Sequence, residues 1–258
     1  MKDVEELSIE VLLYIISLDK IYKKEIDIHL HIEVPKKKEL KSIMIVSGFS
    51  QYFHPNIPLP KIDKKNIFPI CDGLTNRLEN QDDAMSCAKA VDFTKSFFDK
   101  SIHKDQIFRL LYISLAELML NTEHHAYDID EEEKIVDNWY LFGMKSETEI
   151  TFYFFDNGKG ITKTARKKIK EKALEFINLE PKNILKSIFS GEFRTRTGYG
   201  HRGKGLPQIN QLLTNDKIGL SLVLTNKTFR IFENKKEKYG KLPYDFKGSL
   251  FIWTMSIN

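Results

Sequence analysis

The pattern of apolar and polar positions along the chain predicts a series of helices and strands. Apolar residues near helical spacing predict helices over 4–22, 36–46, 81–100 and 104–126, and a later one beginning at Pro207. Alternation with a period of two predicts a strand over 26–34, and apolar runs predict strands over 138–144, 149–155, 218–224, 228–233 and 249–255. These elements group into a small α/β unit (1–53), a proline-rich linker (54–80) and a larger α/β domain (81–258).

Composition and charge narrow the class of protein. The chain has 258 residues, 41% of them hydrophobic, which suits a domain with a packed core. Forty basic and thirty-six acidic residues give a net charge of only +4, so no strong nucleic-acid surface is predicted. The acidic N-terminus and the short apolar stretch from Ile9 to Leu18 predict neither a secretory signal nor a membrane span. Cys71 and Cys87 lie outside any metal-binding spacing, which favours a reduced, cytoplasmic protein.

Two histidines on the strand predicted over 26–34 raise the question of a metal site. His29 and His31 share one face with Asp27 and Glu33, and imidazole with carboxylate is a zinc-binding combination. No third ligand lies nearby in the sequence, and the wet face of a half-buried strand would explain the same residues. A metal site is therefore not predicted there.

The helix predicted over 104–126 carries polar residues on a largely apolar surface. Glu117, Asn121 and His125 follow one another at intervals of four residues and so lie along one stripe. A carboxylate and an amide are costly to bury without partners. An amide oxygen suits Mg²⁺, and a carboxylate one turn away could orient or deprotonate a water beside a phosphate. A hydrogen-bonded pair on a helix surface would give the same spacing.

A second polar group follows the strand predicted over 149–155. Asp156 stands at the carboxyl end of this strand, where Gly158 and Gly160 let the backbone turn sharply. A buried carboxylate there can accept a hydrogen bond from an exocyclic amine such as N6 of adenine. The glycines would leave room for a flat base, and Ile161 could pack on its face. An ordinary strand-to-turn exit explains these residues equally well.

Glycines also cluster between residues 198 and 205, just before the helix that begins at Pro207. A glycine-rich loop entering a helix presents free backbone N–H groups at the positive helix end, where phosphate oxygens bind. Arg202 and Lys204 add positive charge there. The spacing and context match neither a Rossmann dinucleotide site nor a P-loop.

In their order and spacing, these motifs resemble those of the GHKL ATPase superfamily, which includes gyrases, heat-shock chaperones and sensor histidine kinases. The pattern is ExxxN on a helix, DxGxG after a strand, GxGL opening a helix, and Gly248-Ser249 before a final strand. The resemblance covers residues 81–258 and implies a two-layer α/β (α+β) sandwich with a mixed sheet backed by helices. It also implies ATP and Mg²⁺ as ligands beneath a mobile lid at residues 162–202.

The resemblance implies a role for each matching residue. Asn121 corresponds to the Mg²⁺ ligand and Glu117 to the general base or water-positioning acid. Asp156 corresponds to the aspartate that hydrogen-bonds adenine, with Gly158 and Gly160 as its companion glycines. The other nucleotide-binding positions are those of the phosphate loop and its surroundings: His125, Ile161, Arg202, Gly203, Lys204, Gly205, Leu206 and Ser249, the last in place of the family's usual threonine.

Several functions remain open within this resemblance. Residues 1–53 resemble a shortened STAS-type domain, although an unrelated dimerisation or docking unit fits equally well. His54 and His103 lack the motif of a histidine-kinase phosphoacceptor, and a topoisomerase-type transducer domain is not recognisable in the sequence. Histidine autophosphorylation is therefore not expected.

Three hypotheses follow for a regulatory protein with an unidentified protein partner. The first is a protein serine/threonine kinase in which Glu117 activates a hydroxyl of the partner. The second is a slow ATPase whose lid, ordered by ATP, displays a binding surface. The third is a nucleotide-dependent binding module without turnover, which the presence of both Glu117 and Asn121 disfavours. A homodimer is left open.

Overall fold

A computed structural model describes residues 4–53, 64–74, 80–102, 105–126, 138–170, 179–192 and 205–257. The strands are β1 (Ile67–Leu74), β2 (Asn138–Lys145), β3 (Glu149–Asp156), β4 (Ile218–Glu233) and β5 (Lys236–Ser256). The α-helices are α1 (Ile9–Ile26), α2 (Lys38–Val46), α3 (Ser50–Phe53), α4 (Asn80–Lys95), α5 (Gln106–Ala126), α6 (Ile161–Lys170), α7 (Pro181–Phe189) and α8 (Gly205–Leu213). Single turns of 3₁₀ helix cover Lys64–Asn66 and Lys100–Ile102. Of these described helices, none has the length and apolar character needed to cross a bilayer.

The five strands form one sheet in the order β1-β2-β3-β5-β4. All four strand pairings are antiparallel, so the mixed sheet implied by the resemblance is wrong for the described part of the chain. Tight connections favour this arrangement, because β4 and β5 are joined by Asn234 and Lys235, both at positive φ as in short hairpin turns. Helices pack on both faces of the sheet. The predicted α/β (α+β) sandwich is confirmed, but with three layers in place of two.

The larger core lies on the face of the sheet that is covered by α4, α5, α7 and α8, here named the front face. Helix α5 contributes a continuous apolar stripe to this core: Ile107, Phe108, Leu111, Leu115, Leu118 and Met119. Phe152, Phe154 and Trp253 face them from the sheet and are fully buried. Each such side chain contributes roughly 1.5–3 kcal/mol when it leaves water, so this stripe fixes α5 firmly along the sheet.

The N-terminal helices cover the opposite, back face of the sheet. One apolar cluster there joins three α1 residues to four residues of the strands: Leu12, Leu13, Ile16, Tyr140, Phe142, Phe155 and Leu250. The ring of Tyr14 packs edge-on against Phe155, with centroids 6.0 Å apart, and lies 6.5 Å from the ring of Phe246. Residues 4–53 therefore complete the main core. The prediction of a separate STAS-like α/β unit over 1–53 is wrong.

The strand predicted over 26–34 is also wrong. Helix α1 continues to Ile26, and Asp27 ends it in the left-handed conformation with φ of 54°. Residues 28–35 are neither helix nor strand. The buried carboxylate of Asp19 accepts a hydrogen bond from the backbone N–H of Leu30 at 2.6 Å. In a sheet, a carbonyl of the neighbouring strand would be this acceptor. The period-two pattern therefore marks an extended segment whose side chain at Ile32 reaches the back-face core.

Residues 67–74 form β1, so the linker predicted over 54–80 is wrong for this part of the chain. Pro69 is compatible with β1 because this strand lies at the border of the sheet, where a missing N–H breaks no ladder. The pairing with β2 shifts between Phe68 and Cys71, and the N–H of Ile70 donates to the carbonyl of Ser47 at 2.8 Å. Residues 54–63 and 75–79 lie outside the described part.

The two C-terminal strands are longer than predicted. The strands predicted over 218–224 and 228–233 are one strand, β4, whose pairing shifts at Thr225 and Asn226. The last predicted strand, 249–255, is the final part of β5, which begins at Lys236. The outer part of this hairpin extends past the end of β3. The other helices and strands predicted in 36–155 are confirmed to within a few residues of their bounds.

Candidate functional site

The start of α5 and the start of β3 are held at one end of the structure by Lys217. Its ammonium lies 3.8 Å from the carboxylate of Asp105, directly before α5. Its carbonyl accepts a hydrogen bond from the N–H of Ser256 at 2.9 Å. Ser256 is the register partner of Glu149, the first residue of β3. Helix and strand therefore leave from the same end.

The polar residues of α5 and β3 lie at equal distances from that common end. At about 1.5 Å per residue, the helix rises roughly 24 Å between Asp105 and Asn121. At about 3.4 Å per residue, the strand covers roughly 24 Å between Glu149 and Asp156. Because the apolar stripe of α5 packs along the sheet, Glu117 and Asn121 reach the end of the sheet where Asp156 lies.

Helix α8 begins directly against the polar stripe of α5. A Cβ placed on Gly205 would lie 2.4 Å from Oε2 of Glu117 and 3.3 Å from Nδ2 of Asn121. This approach brings the positive end of α8, with N–H groups that have no partner within the helix, beside a carboxylate and an amide. Nδ2 of Asn121 is buried and has no hydrogen-bond partner within the described structure. An unpartnered buried donor costs about 1–3 kcal/mol, a cost that a bound ligand could remove.

Asp156 lies half-buried in a polar corner between β3 and β5. Its Oδ1 accepts the N–H of Gly158 at 3.0 Å, and Ser249, directly opposite in register, donates from both its backbone and its hydroxyl. Burial raises the pKa of the Asp156 carboxyl to about 7, although these hydrogen bonds act to lower it. A carboxylate in such surroundings gains strongly from a further donor, as an exocyclic amine would provide.

Asn226 of β4 holds the loop that follows Asp156. Its Nδ2 donates to the carbonyl of Lys159 at 2.9 Å, and its Oδ1 accepts the hydroxyl of Thr162 at 2.9 Å. Gly160 has a φ of +82°, and a Cβ there would lie 2.6 Å from Nδ2 of Asn226. This position therefore requires glycine for both conformation and space. Gly160 therefore shapes the loop on the side that faces Asn226.

Thr225 connects this loop to Ser249 and is fully buried. Its Oγ1 accepts the N–H of Ile161 at 2.9 Å and lies 3.3 Å from Oγ of Ser249. The same hydroxyl is 3.2 Å from the carbonyl of Gly248 and can donate to it. The loop after β3 and the last part of β5 are thus joined through one side chain of β4.

Ile161 and Leu206 link the two halves of the site. Both pack against one small apolar cluster of α6 and α7, formed by Ala165, Ile184 and Ile188. Ile161 follows the Asp156 loop, and Leu206 follows Gly205 at the start of α8. The described parts of the three motifs therefore surround one end of the sheet.

Some predicted site residues cannot be placed. Arg202, Gly203 and Lys204 lie outside the described residues, and so does the side chain of His125, although its backbone belongs to α5. The lid predicted over 162–202 is described in part, as most of α6 and as α7.

Three residues that organise the site were not predicted from the sequence: Thr225, Asn226 and Arg230. The polar break between the apolar runs 218–224 and 228–233 is the only signal that could have indicated the first two. Arg230 is fully buried, with Nε 2.6 Å from the carboxylate of Glu237 and Nη2 donating to Asn210 of α8 at 2.8 Å. Its guanidinium also lies 4.7 Å from the ring centre of Phe189, so it ties α7 and α8 to the hairpin.

The raised pKa of Asp156 predicts a pH-dependent loss of stability. Below about pH 4 the carboxyl is neutral in both states, and between about pH 4 and 7 only the unfolded chain ionises, so stability falls as pH rises. The resulting loss of unfolding free energy is complete above about pH 7 and amounts to at most about 4 kcal/mol. Urea unfolding of the wild type and of Asp156→Asn from pH 4 to 8 measures it as the growing difference between them. A constant difference would contradict the assignment.

Gly205→Ala is expected to damage the site more than the fold. The new methyl group would displace the carboxylate of Glu117, which is the end of a flexible side chain, so the melting temperature should change by only a few degrees. Binding of ATP, the ligand that the resemblance implies, should weaken by about tenfold or more, measured by titration calorimetry. Gly219→Ala, a glycine of β4 with only moderate crowding by Thr254, is the matched control and should bind normally.

No family model matches the chain, and a comparison with curated proteins found no match either. Within the described residues, no group of three or more His, Cys, Asp or Glu side chains is arranged to hold a metal ion.

Proposed function

We propose that the protein binds Mg-ATP in the manner of GHKL ATPases and uses it to regulate a protein partner, by slow hydrolysis or by phosphorylating a serine or threonine. The observation that carries this proposal is the contact of Gly205 with Glu117 and Asn121 at the end of the sheet where Asp156 lies. A helix N-terminus suits phosphate, an amide oxygen suits Mg²⁺, and a half-buried carboxylate suits an amine donor. A purine nucleotide needs these three environments together.

Each group has a distinct task in the proposed complex. Asp156 accepts a hydrogen bond from the exocyclic amine of adenine, while Ser249 and Gly158 keep its carboxylate oriented. The N–H groups at the start of α8 bind phosphate oxygens. Asn121 would hold Mg²⁺ through its amide oxygen, together with oxygens of the nucleotide. The ion would supply positive charge beside the transferred phosphoryl group.

Glu117 is proposed to act on the nucleophile. Its carboxylate takes the proton from an attacking water or hydroxyl as the new oxygen–phosphorus bond forms. The bond between the γ-phosphorus and the bridging oxygen breaks, and ADP leaves. With water as the acceptor the product is phosphate, and with a partner's serine or threonine it is a phosphoprotein.

A cytoplasmic location is part of the proposal. Cys71 and Cys87 are both free, as expected in a reducing compartment. Burial raises the pKa of each thiol to about 12, so both are poor nucleophiles.

Titration calorimetry with ATP, GTP and adenosine, each with and without Mg²⁺, tests the proposal. Micromolar binding of ATP that improves with Mg²⁺ and exceeds that of GTP is expected. Equal binding of both triphosphates, or no ATP binding at millimolar concentration, would contradict it. Incubation with γ-labelled ATP then separates hydrolysis, seen as free phosphate, from transfer, seen as label on a partner.

A further inference from the structure

Helix α1 is apolar on two faces, of which only one is buried. Its outer face carries a stripe at spacings of three and four residues, here named the α1 stripe: Val11, Tyr14, Leu18, Tyr22 and Ile26. Tyr14 lies at the border of this stripe, because its ring also packs against Phe155. Four of these side chains are 46%, 38%, 38% and 59% exposed, at Val11, Tyr14, Tyr22 and Ile26. With Ile28, they make up five of the eleven large apolar side chains that are exposed in the described structure. A surface helix normally has a polar outer face, so this concentration points to a contact surface.

We propose that the α1 stripe is the interface between two copies of this chain, which pair α1 against α1 in antiparallel orientation. The charges along the helix support a second copy as the occupant. Glu5, Glu6 and Glu10 lie at its N-terminal side, whereas Lys23 and Lys24 lie in its last turn, next to the acids Glu25 and Asp27. A two-fold axis across the stripe sets the acidic N-terminal side of each helix near Lys23 and Lys24 of the other.

The register of the pair follows from the stripe. A two-fold axis beside Leu18 puts Leu18 of both copies at the centre and Tyr14 of each copy level with Tyr22 of the other. Glu10 then lies about 3 Å along the axis from Lys24 of the second copy, within reach of a salt bridge. Glu10 and Lys24 are two heptads apart and so flank the stripe on the same side, as antiparallel pairing requires.

The helix dipole offers a second reason for these charges, because acidic residues favour the N-terminus and basic residues the C-terminus of any isolated helix. The two explanations differ in one respect. A dipole effect acts within each chain, whereas pairing depends on which charges the other chain carries. Complementary variants in separate chains therefore distinguish them.

Sedimentation velocity of the full chain between about 10 and 200 µM tests the interface. The wild type is expected to shift from monomer to dimer over this range. Val11→Glu and Ile26→Glu should remain monomeric with unchanged melting temperatures, because both side chains are exposed. Tyr244→Glu, at a side chain 82% exposed on the β4–β5 hairpin, should dimerise normally. A wild type that stays monomeric, or stripe variants that still dimerise, would overturn the proposal.

Charge reversal at the proposed salt bridge between Glu10 and Lys24 tests the orientation of the pair. Glu10→Lys and Lys24→Glu should each weaken self-association by about tenfold, because each places like charges across the pair. An equimolar mixture of the two variants should form a heterodimer at wild-type affinity, since every charge then meets its opposite. Failure of the mixture to associate would exclude the antiparallel register. Binding of monomer to anionic phospholipid vesicles without dimerisation would assign the stripe to a membrane surface instead.

Discussion

Asp156→Asn is expected to lower the affinity for ATP by about 100-fold while the protein stays folded. The substitution keeps the shape of the side chain but removes the charge that would accept the amine of adenine. Hydrogen bonds to a charged group contribute about 1.5–3 kcal/mol, and a misplaced amide donor adds repulsion. The new amide would also face the N–H groups of Gly158 and Ser249, which now donate to the carboxylate. Titration calorimetry at pH 8 measures the loss.

The specificity of this effect depends on its controls. Asp216→Asn makes the same chemical change at a side chain 86% exposed and should leave ATP affinity unchanged. The affinity for adenosine, which has no group titrating near neutrality, should rise between about pH 6 and 8 in the wild type as Asp156 ionises. It should stay constant in Asp156→Asn. Micromolar ATP binding by this variant would show that the base lies elsewhere.

Glu117→Gln is expected to reduce turnover by about 100-fold or more and to change ATP affinity by less than about threefold. A positioned general base contributes about 10²–10⁴-fold to a rate, and glutamine cannot take a proton. The amide preserves the size of the side chain beside Gly205, where space is limited. Single-turnover release of phosphate from γ-labelled ATP, measured with the binding step saturated, isolates the chemical step.

Glu147→Gln, in the exposed turn between β2 and β3, is the matched control and should turn over at the wild-type rate. If the protein is a kinase, transfer to its partner should fall in parallel with hydrolysis in Glu117→Gln. Unchanged turnover in that variant would remove Glu117 from the chemistry while leaving the nucleotide site in place. A parallel loss of ATP affinity would instead indicate that Glu117 mainly positions α8.

The parts of the fold that could be predicted from sequence are those whose signal is local. The stripe of Phe108, Leu111, Leu115 and Leu118 predicted the buried face of α5, and all four side chains are buried. The strongly apolar run before Asp156 predicted β3.

The parts that could not be predicted depend on partners distant in sequence. Pro69 and its neighbours look like a linker until β2 is known to lie on one side of them. Whether α1 forms its own unit or covers the back of the sheet depends on Tyr140, Phe155 and Leu250, which belong to three different strands. The roles of Thr225 and Asn226 depend on the register of β4 against β5, which period-two patterns do not specify.

The irregular border strand has a consequence for behaviour at high concentration. Amyloid-like aggregation begins when the free side of a strand offers a regular row of donors and acceptors to another molecule. At β1 that row is broken, since Pro69 has no N–H, the N–H of Ile70 is taken by Ser47, and the pairing shifts beside them. Edge-to-edge strand pairing between molecules is therefore disfavoured at this border.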